Sequence, residues 1–139
     1  EFDCIIGNSI IHHLPAETIL KECFRIVRPG GLIIFFEPNM MNPQIALEKN
    51  IPAIGKLLQN SDDETAFFRW PLAKVLRSIG FDDVSVKPFD FLHPIVPKIA
   101  IAAVEAIGGL LEKIPILKEI SGSLIIRAHK PDNIVSDLE

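Results

Sequence analysis

The sequence has no run of closely spaced Lys and Arg residues. Its 14 Lys and Arg residues are scattered along 139 residues and are outnumbered by 18 Asp and Glu, which gives a formal net charge of −4. A protein that binds nucleic acid usually carries a basic patch that neutralises phosphates. We therefore predict no nucleic-acid partner.

Cysteine is scarce, and the paired histidines lack the spacing of metal ligands. Cys4 and Cys23 have no closely spaced partner, so we predict neither a disulfide framework nor a zinc site. We interpret both as buried, reduced thiols of a cytoplasmic protein. His12 and His13 are adjacent, whereas a helical zinc pair is four residues apart. No metal is predicted.

A starting Met and a secretory signal are also missing, and the first apolar run begins directly after Glu1. Parallel sheets are ordinarily covered on both faces, and this start offers only two parallel strands. We therefore expect an amino-terminal half of the domain to precede these residues.

The opening unit is a strand, a helix and a second strand. The runs Cys4 to Ile6 and Leu32 to Phe36 are wholly apolar, as expected for parallel strands buried on both faces. From Ala16 to Val27, apolar residues recur at helical spacing, and Arg28 before Pro29 should end the helix. Gly30 and Gly31 supply the turn into the second strand. The unit predicts an α/β fold with a parallel sheet.

Each of the two strands ends in a polar cluster. Gly7-Asn8-Ser9 follows the first strand and Glu37-Pro38-Asn39 follows the second. In open parallel sheets, ligands bind beyond the carboxyl ends of the strands. We expect the two clusters to be neighbours at a binding site, although each is also a plausible plain turn or loop cap. Asp3 lies at the opposite end of its strand and is interpreted as structural.

The second half predicts one more helix and two further strands. Pro71 suits the first turn of a helix that Gly80 ends. A half-exposed strand over Val84 to Val86, reaching Phe89, should pair with a strand over Ser123 to Ala128. Gln44 to Lys49 and Ala53 to Leu58 are weakly helical.

A strongly apolar stretch, Ile95 to Leu117, raises the question of a membrane span. It contains four charges, Pro97 and Pro115 near its ends, and Gly108-Gly109 inside. A spanning helix needs about 20 predominantly apolar residues. We therefore predict a helix that covers the sheet or a pocket and no transmembrane segment, with peripheral membrane contact left open.

Several motifs together resemble the class I S-adenosylmethionine-dependent methyltransferases. The match lies in FD at 2–3, GNS at 7–9, HHLP at 12–15, RPGG at 28–31 and EPN at 37–39, which resemble the fourth strand, following helix and fifth strand of that family. RWPL at 69–72 and IGF at 79–81 resemble its next helix and turn. Residues 123–130 resemble its antiparallel seventh strand.

The resemblance implies a Rossmann-like α/β fold, of which the chain is the carboxyl-terminal half, with helices packed on the sheet and a terminal antiparallel hairpin. It implies a partial domain over 1–131, with segments 40–63 and 95–120 varying with substrate, and a polar tail over 132–139. The family's glycine-rich loop and its acidic residue for the ribose are not in the sequence. The fragment alone is not expected to bind the cofactor tightly.

The resemblance also implies roles for individual residues, each with a structural alternative. S-adenosyl-L-methionine would be the cofactor and a small molecule, lipid-like, quinone-like or glycolipid, the acceptor. Catalysis is assigned to His13, as a base, and to Glu37. Cofactor contacts are assigned to Gly7, Asn8, Ser9 and His12, and acceptor contacts to Glu37, Asn39, Phe68 and Trp70. Which histidine faces the cofactor stays open, since counting from either end of the motif selects a different one.

Two other functions remain open. A remnant or pairing module without catalysis would keep the sheet but lack the cofactor loop. Another nucleotide-binding α/β enzyme, such as a dehydrogenase, would share the site at the sheet edge, although the HHLP and RPGG motifs do not favour it. Dimerisation also stays open.

Overall fold

A computed structural model describes residues 1–51, 65–92 and 96–132 of the chain. Its centre is a four-stranded sheet in the order β1-β2-β4-β3. The strands span Phe2–Asn8 (β1), Val27–Pro38 (β2), Asp82–Phe89 (β3) and Ser123–His129 (β4). β1 and β2 are parallel, whereas β4 runs antiparallel to both β2 and β3. The predicted crossover and the pairing of the last two strands are confirmed.

The helices are short, and two of them cover one face of the sheet. They span Ala16–Ile26 (α1), Pro43–Asn50 (α2), Arg69–Ile79 (α3), Ile101–Leu111 (α4) and Pro115–Lys118 (α5), with 3-10 turns at Ile11–His13 and Lys98–Ala100. α3 has Pro71 in its first turn and ends at Gly80, whose φ of 112° only glycine adopts readily. The expected start and stop of this helix are confirmed.

The core lies between α1, α3 and one face of the sheet. Every second residue of β2 from Gly31 to Glu37 is buried, and the residues between are half-buried. Such alternation means that one face is covered more completely than the other. The core consists of Ile11, Leu20, Cys23, Val27, Ile33, Phe35, Leu72, Leu76, Phe81, Leu124, Ile126 and Ala128.

β1 is much more exposed than a strand buried on both faces. It lies at the edge of the sheet and pairs with β2 alone, and Phe2 and Ile6 are 57% and 67% exposed. Cys4 is likewise exposed, so its interpretation as a buried thiol is wrong in this structure, whereas Cys23 is buried. Burial raises the pKa of the Cys23 thiol, and the charge of Glu22 adds to the effect.

The junction between α1 and β2 is tighter than predicted. The helix ends at Ile26, and Val27 already has extended backbone angles. Phe2 pairs with Val27 and Cys4 with Leu32, so Asp3 alone opposes the residues Arg28 to Gly31. Gly30 takes a φ of 70° within this bulge. Arg28 Nε donates to Asp3 Oδ1 at 2.5 Å, which holds the pKa of that exposed carboxyl below its usual range.

The apolar stretch from residue 95 does not form the single helix that the sequence predicted. Its described part is a 3-10 turn followed by α4 and α5, and none of its residues belongs to the core described above. Gly108 packs against Phe91, and α4 borders a small cleft of about 280 Å³ that Phe89 to Leu92 also line. The second helix predicted over residues 53–58 lies outside the described residues. So do residues 52–63 of the variable segment predicted over 40–63, and residues 133–139 of the tail predicted over 132–139.

A buried lysine closes the carboxyl end of α1. Lys130 follows β4, and its Nζ donates to the carbonyl oxygens of Phe24 and Val27, both at 2.8 Å. The ammonium also lies 5.0 Å from the centre of the Phe24 ring. Carbonyls at a helix end have no partner within the helix, so this side chain supplies one.

We expect Lys130→Met to lower the free energy of unfolding by about 2 kcal/mol, because two charge-assisted hydrogen bonds are lost while most of the apolar stem is kept. Urea denaturation of the full-length protein, followed by circular dichroism, measures the change. Lys21→Met is the matched control, since Lys21 is exposed and forms its ion pair with the exposed Glu17 of its own helix. Equal stability of the two variants would contradict this role of Lys130.

Candidate active site at the carboxyl edge of the parallel strands

A cleft of about 400 Å³ opens at the carboxyl ends of β1 and β2. Residues after β1, at the end of β2, along α2 and between β3 and β4 form its walls. The lining residues are Asn8, Ser9, His12, Phe36, Glu37, Pro38, Asn42, Gln44, Ile45, Glu48, Lys49, Phe89, Asp90, Phe91, Leu92, Gly122 and Ser123. The two polar clusters are indeed neighbours here, since Asn8 pairs with Phe36 and Ser9 N donates to Phe36 O at 2.8 Å.

The carboxylate of Glu37 organises the loop after β1. Its Oε1 accepts the backbone N–H groups of Ile10 at 3.0 Å and Ile11 at 2.8 Å. Its Oε2 accepts His12 N at 3.3 Å and lies 2.7 Å from His12 Nδ1. The residue is only 1% exposed. Both carboxylate oxygens are therefore engaged in holding the loop, which is the capping role that the sequence left as an alternative to catalysis.

Glu37 also fixes the ring of His12. A carboxylate only accepts hydrogen bonds, so Nδ1 donates, and Nε2 is the ring nitrogen that Glu37 leaves unengaged. His12 is buried and lines the cleft, whereas His13 is exposed and does not line it. The two rings lie 4.0 Å apart between centres. The structure thus brings His12, rather than His13, to the cleft.

Asn8 and Ser9 present polar groups at the mouth of the cleft. Both are exposed, and Ser9 has a φ of 53°, in the left-handed region that residues other than glycine seldom adopt. The pairing of Ser9 N with Phe36 O fixes this turn. The strain is therefore held at the point where the chain leaves the sheet, next to the cleft.

Gly7 has a packing role that the sequence did not reveal. It is buried, and a Cβ at this position would collide with Cδ1 and Cε1 of Phe35. The space that a side chain would occupy thus belongs to an aromatic ring of the core, and Gly7 does not line the cleft. This contact explains why position 7 is a glycine, and a nearby ligand is not needed to explain it.

The remaining predicted acceptor residues do not line the cleft. Asn39 is 1% exposed, and its Nδ2 donates to Glu119 O at 2.9 Å and Ser121 O at 2.8 Å. It ties the end of β2 to the segment before β4. Phe68 is exposed, and Trp70 borders a different cleft on the side of α3 and β3. Of the four predicted acceptor residues, only Glu37 lines the cleft.

Other residues of the cleft were missed by the sequence analysis. Asn42 caps α2 by accepting Gln44 N and Ile45 N, and its Nδ2 donates to Ile120 O at 2.9 Å. The order Asn-Pro before a helical stretch was an available signal for this cap. Asp90, with a φ of 64°, turns the chain after β3. No local pattern indicated that this turn would form a wall of the cleft.

Sequence comparisons relate the chain to methyltransferases. A family model described as a methyltransferase domain matches residues 1–35. A demethylmenaquinone methyltransferase of Geobacillus stearothermophilus is 32% identical over 92 residues, covering 53% of this chain and 38% of the relative. The enzyme of that name from Alkalihalophilus pseudofirmus is 29% identical over 107 residues, covering 63% of this chain and 44% of the relative. The chain thus spans about two-fifths of the length of these relatives.

Solved structures extend the likeness to nearly the whole chain. A methyltransferase dependent on S-adenosylmethionine from Thermotoga maritima superposes with a TM-score of 0.64 at 20% identity, covering 94% of this chain and 56% of the other. One from Archaeoglobus fulgidus gives a TM-score of 0.59 at 17% identity, covering 93% and 59%. The chain shares the fold of these class I methyltransferases. Its Rossmann-like sheet and packed helices are as the resemblance implied.

Within the methyltransferase fold, the cleft occupies the edge where ligands of open α/β sheets bind. Among the described residues, no group of three or more His, Cys, Asp or Glu side chains is arranged to hold a metal ion. This edge offers backbone and neutral polar groups, the charged residues Glu48, Lys49 and Asp90, and one imidazole whose position Glu37 fixes.

We expect Glu37→Gln to destabilise the protein by about 2–3 kcal/mol, because an amide nitrogen would face N–H donors that now bond a buried carboxylate. Urea denaturation measures the loss. Glu17→Gln, at an exposed position, is the matched control and should leave the midpoint unchanged. A midpoint for Glu37→Gln equal to the control would contradict the role of this carboxylate in holding the loop.

Proposed function

We propose that the protein transfers a methyl group from S-adenosylmethionine to a small, apolar acceptor of the quinone-like class. The observation that carries the proposal is the cleft at the carboxyl ends of β1 and β2, where Glu37 holds the loop bearing Asn8, Ser9 and His12. The methyltransferase fold and the names of the curated relatives support the reaction and the acceptor class.

The residues present fit one end of the cofactor. Asn8 and Ser9 offer amide, hydroxyl and backbone groups at the cleft mouth, and His12 adds a ring nitrogen. Such groups suit the charged amino-acid portion of S-adenosylmethionine. By resemblance, a glycine-rich loop and an acidic residue upstream of this sequence would hold the remainder.

In this proposal, the main contribution of the chain is to align the methyl donor with the acceptor. S-adenosylmethionine supplies a methyl group already activated by its sulfonium. Holding two reactants in line and excluding water can contribute roughly 7–11 kcal/mol. The fixed loop after β1 provides one side of this alignment, and the wall made by Phe36, Phe89 and Phe91 provides an apolar side for the acceptor. Phe36 and Phe89 contact each other edge to face, with ring centres 5.8 Å apart.

The two candidate catalytic residues take different places in this proposal. Glu37 acts as a positioning residue, since its carboxylate bonds the loop and the ring of His12. His13 was assigned as a base, but its ring is exposed and outside the cleft lining. We assign the ligand contact to His12 and test the choice with the neighbouring pair.

We expect His12→Asn to weaken binding of S-adenosylhomocysteine to the full-length protein by about tenfold, the equivalent of one lost polar contact. Asparagine is chosen because its amide nitrogen can replace Nδ1 as the donor to Glu37 while the rest of the ring is removed. Calorimetric titration gives the dissociation constant. His13→Asn, the matched variant one residue later, should bind like the unmodified protein.

The reverse pattern, with His13→Asn alone weakened, would assign the cofactor contact to His13 and contradict the role of His12 in the cleft. No binding by the unmodified full-length protein would reject the methyltransferase proposal and favour a remnant or pairing module. With binding established, methylation assays on naphthoquinols, phenols and amines identify the acceptor class. Turnover of amines alone would reject the quinone-like acceptor.

A further inference from the structure

The segment from Lys98 to Lys118, called here the apolar arm, leaves most of its apolar side chains uncovered by the described residues. Ile99 is 95% exposed, Ile116 81%, Leu110 62% and Ile107 57%. In α4, Gly108 is the one buried residue. α4 is apolar except for the exposed Glu105. A helix of such composition is normally buried, and extensive exposed apolar surface marks an interaction site. We therefore expect the arm to contact a binding partner.

The arm is too short to cross a bilayer. The described residues contain no helix long and apolar enough to do so. α4 has 11 residues, which gives a length of about 16 Å against a hydrocarbon core of about 30 Å. A helix of this kind lies along a membrane surface if it meets one.

A cationic cleft borders the arm. A cleft of about 710 Å³ lies beside α3, β3 and the arm, and its lining contains five cationic side chains against two carboxylates. The cations are Arg69, Arg77, Lys87, Lys113 and Lys118.

Both carboxylates in that lining already make internal bonds. Glu112 Oε1 accepts Asp90 N at 2.7 Å, and Glu119 Oε1 accepts Arg69 Nη1 at 2.8 Å. The chain as a whole has a formal net charge of −4. The Arg69–Glu119 ion pair cancels, so four other cations remain in the lining against Glu112. Positive charge is therefore gathered beside the exposed apolar surface of a protein that is otherwise acidic.

Trp70 stands at the rim of the same cleft. It is 54% exposed, and the guanidinium of Arg69 lies 4.8 Å from the centre of its ring. Tryptophan is enriched at the depth of lipid headgroups, where its ring meets apolar chains and its N–H meets water. Apolar side chains, an indole and a group of cations thus occur on adjoining surfaces.

We propose that the apolar arm and the cationic cleft form a docking surface for a membrane containing anionic lipids. The exposed Ile and Leu side chains enter the boundary between headgroups and acyl chains, and the cations meet lipid phosphates. The positive charge of the cleft favours an anionic membrane over a second copy of the chain, because pairing two such surfaces would bring like charges together. The proposal stands independently of methyl transfer.

The test is cosedimentation of the full-length protein with vesicles of phosphatidylcholine, with and without phosphatidylglycerol. Binding is expected with phosphatidylglycerol and should weaken as salt is raised. Leu110→Glu should lower the partition coefficient by about tenfold, because one apolar side chain no longer enters the bilayer. Leu47→Glu is the matched control, since Leu47 is 51% exposed and belongs to α2 rather than to the arm, and it should bind normally.

The cationic contribution is tested by Lys113→Gln and Lys118→Gln, each expected to weaken binding by about fivefold with phosphatidylglycerol and not with phosphatidylcholine alone. Lys74→Gln, on the exposed side of α3, is the control. All five positions are outside the core, so thermal melts should be unchanged.

Three results would overturn the proposal. One is no vesicle binding by the unmodified full-length protein. A second is unchanged binding by Leu110→Glu. The third is a dimer of the unmodified protein in light scattering, together with no vesicle binding and a loss of the dimer in Leu110→Glu. That result would assign the surface to a second copy of the chain.

Discussion

The carboxylate of Glu37 is the interaction on which the candidate site depends. It lies at the end of β2 and accepts three successive backbone N–H groups of the loop after β1, together with the ring of His12. A charged acceptor can satisfy several donors at once, and within a buried site such bonds are strong. The geometry of the cleft mouth therefore follows from one side chain of the neighbouring strand.

The sheet also depends on contacts between residues near β4 and the elements that precede it in sequence. Asn39 joins β2 to the backbone before β4, and Lys130, just after β4, closes the end of α1. Both use a polar side chain to satisfy backbone carbonyls that the sheet and helices leave without a partner. These bonds link residues more than eighty positions apart. They fix β4 in the middle of the sheet and, with it, the wall of the cleft that Gly122 and Ser123 form.

The fold was largely predictable because its signals are local. Apolar runs, helical spacing, and the positions of Pro71 and Gly80 indicated the strands and helices. The roles within the site depend on contacts distant in sequence, which no local pattern contains. Gly7 is explained by the ring of Phe35 across the strand pair, and Glu37 had two chemically reasonable roles until its hydrogen-bond partners were known. For the apolar arm, the hydropathy of the sequence indicates that burial of its side chains is favourable, but it does not indicate which surface they pack against.

The central position of β4 has a consequence for how the protein forms during synthesis. Of the four described strands, β4 comes last in sequence, yet it lies between β2 and β3. While the chain emerges from the ribosome, β2 and β3 have no strand to join them, and each presents an open edge of backbone donors and acceptors. The four-stranded sheet is complete only when residue 129 is free to insert. Termination shortly before this point would leave an exposed, apolar β2 and a product prone to associate.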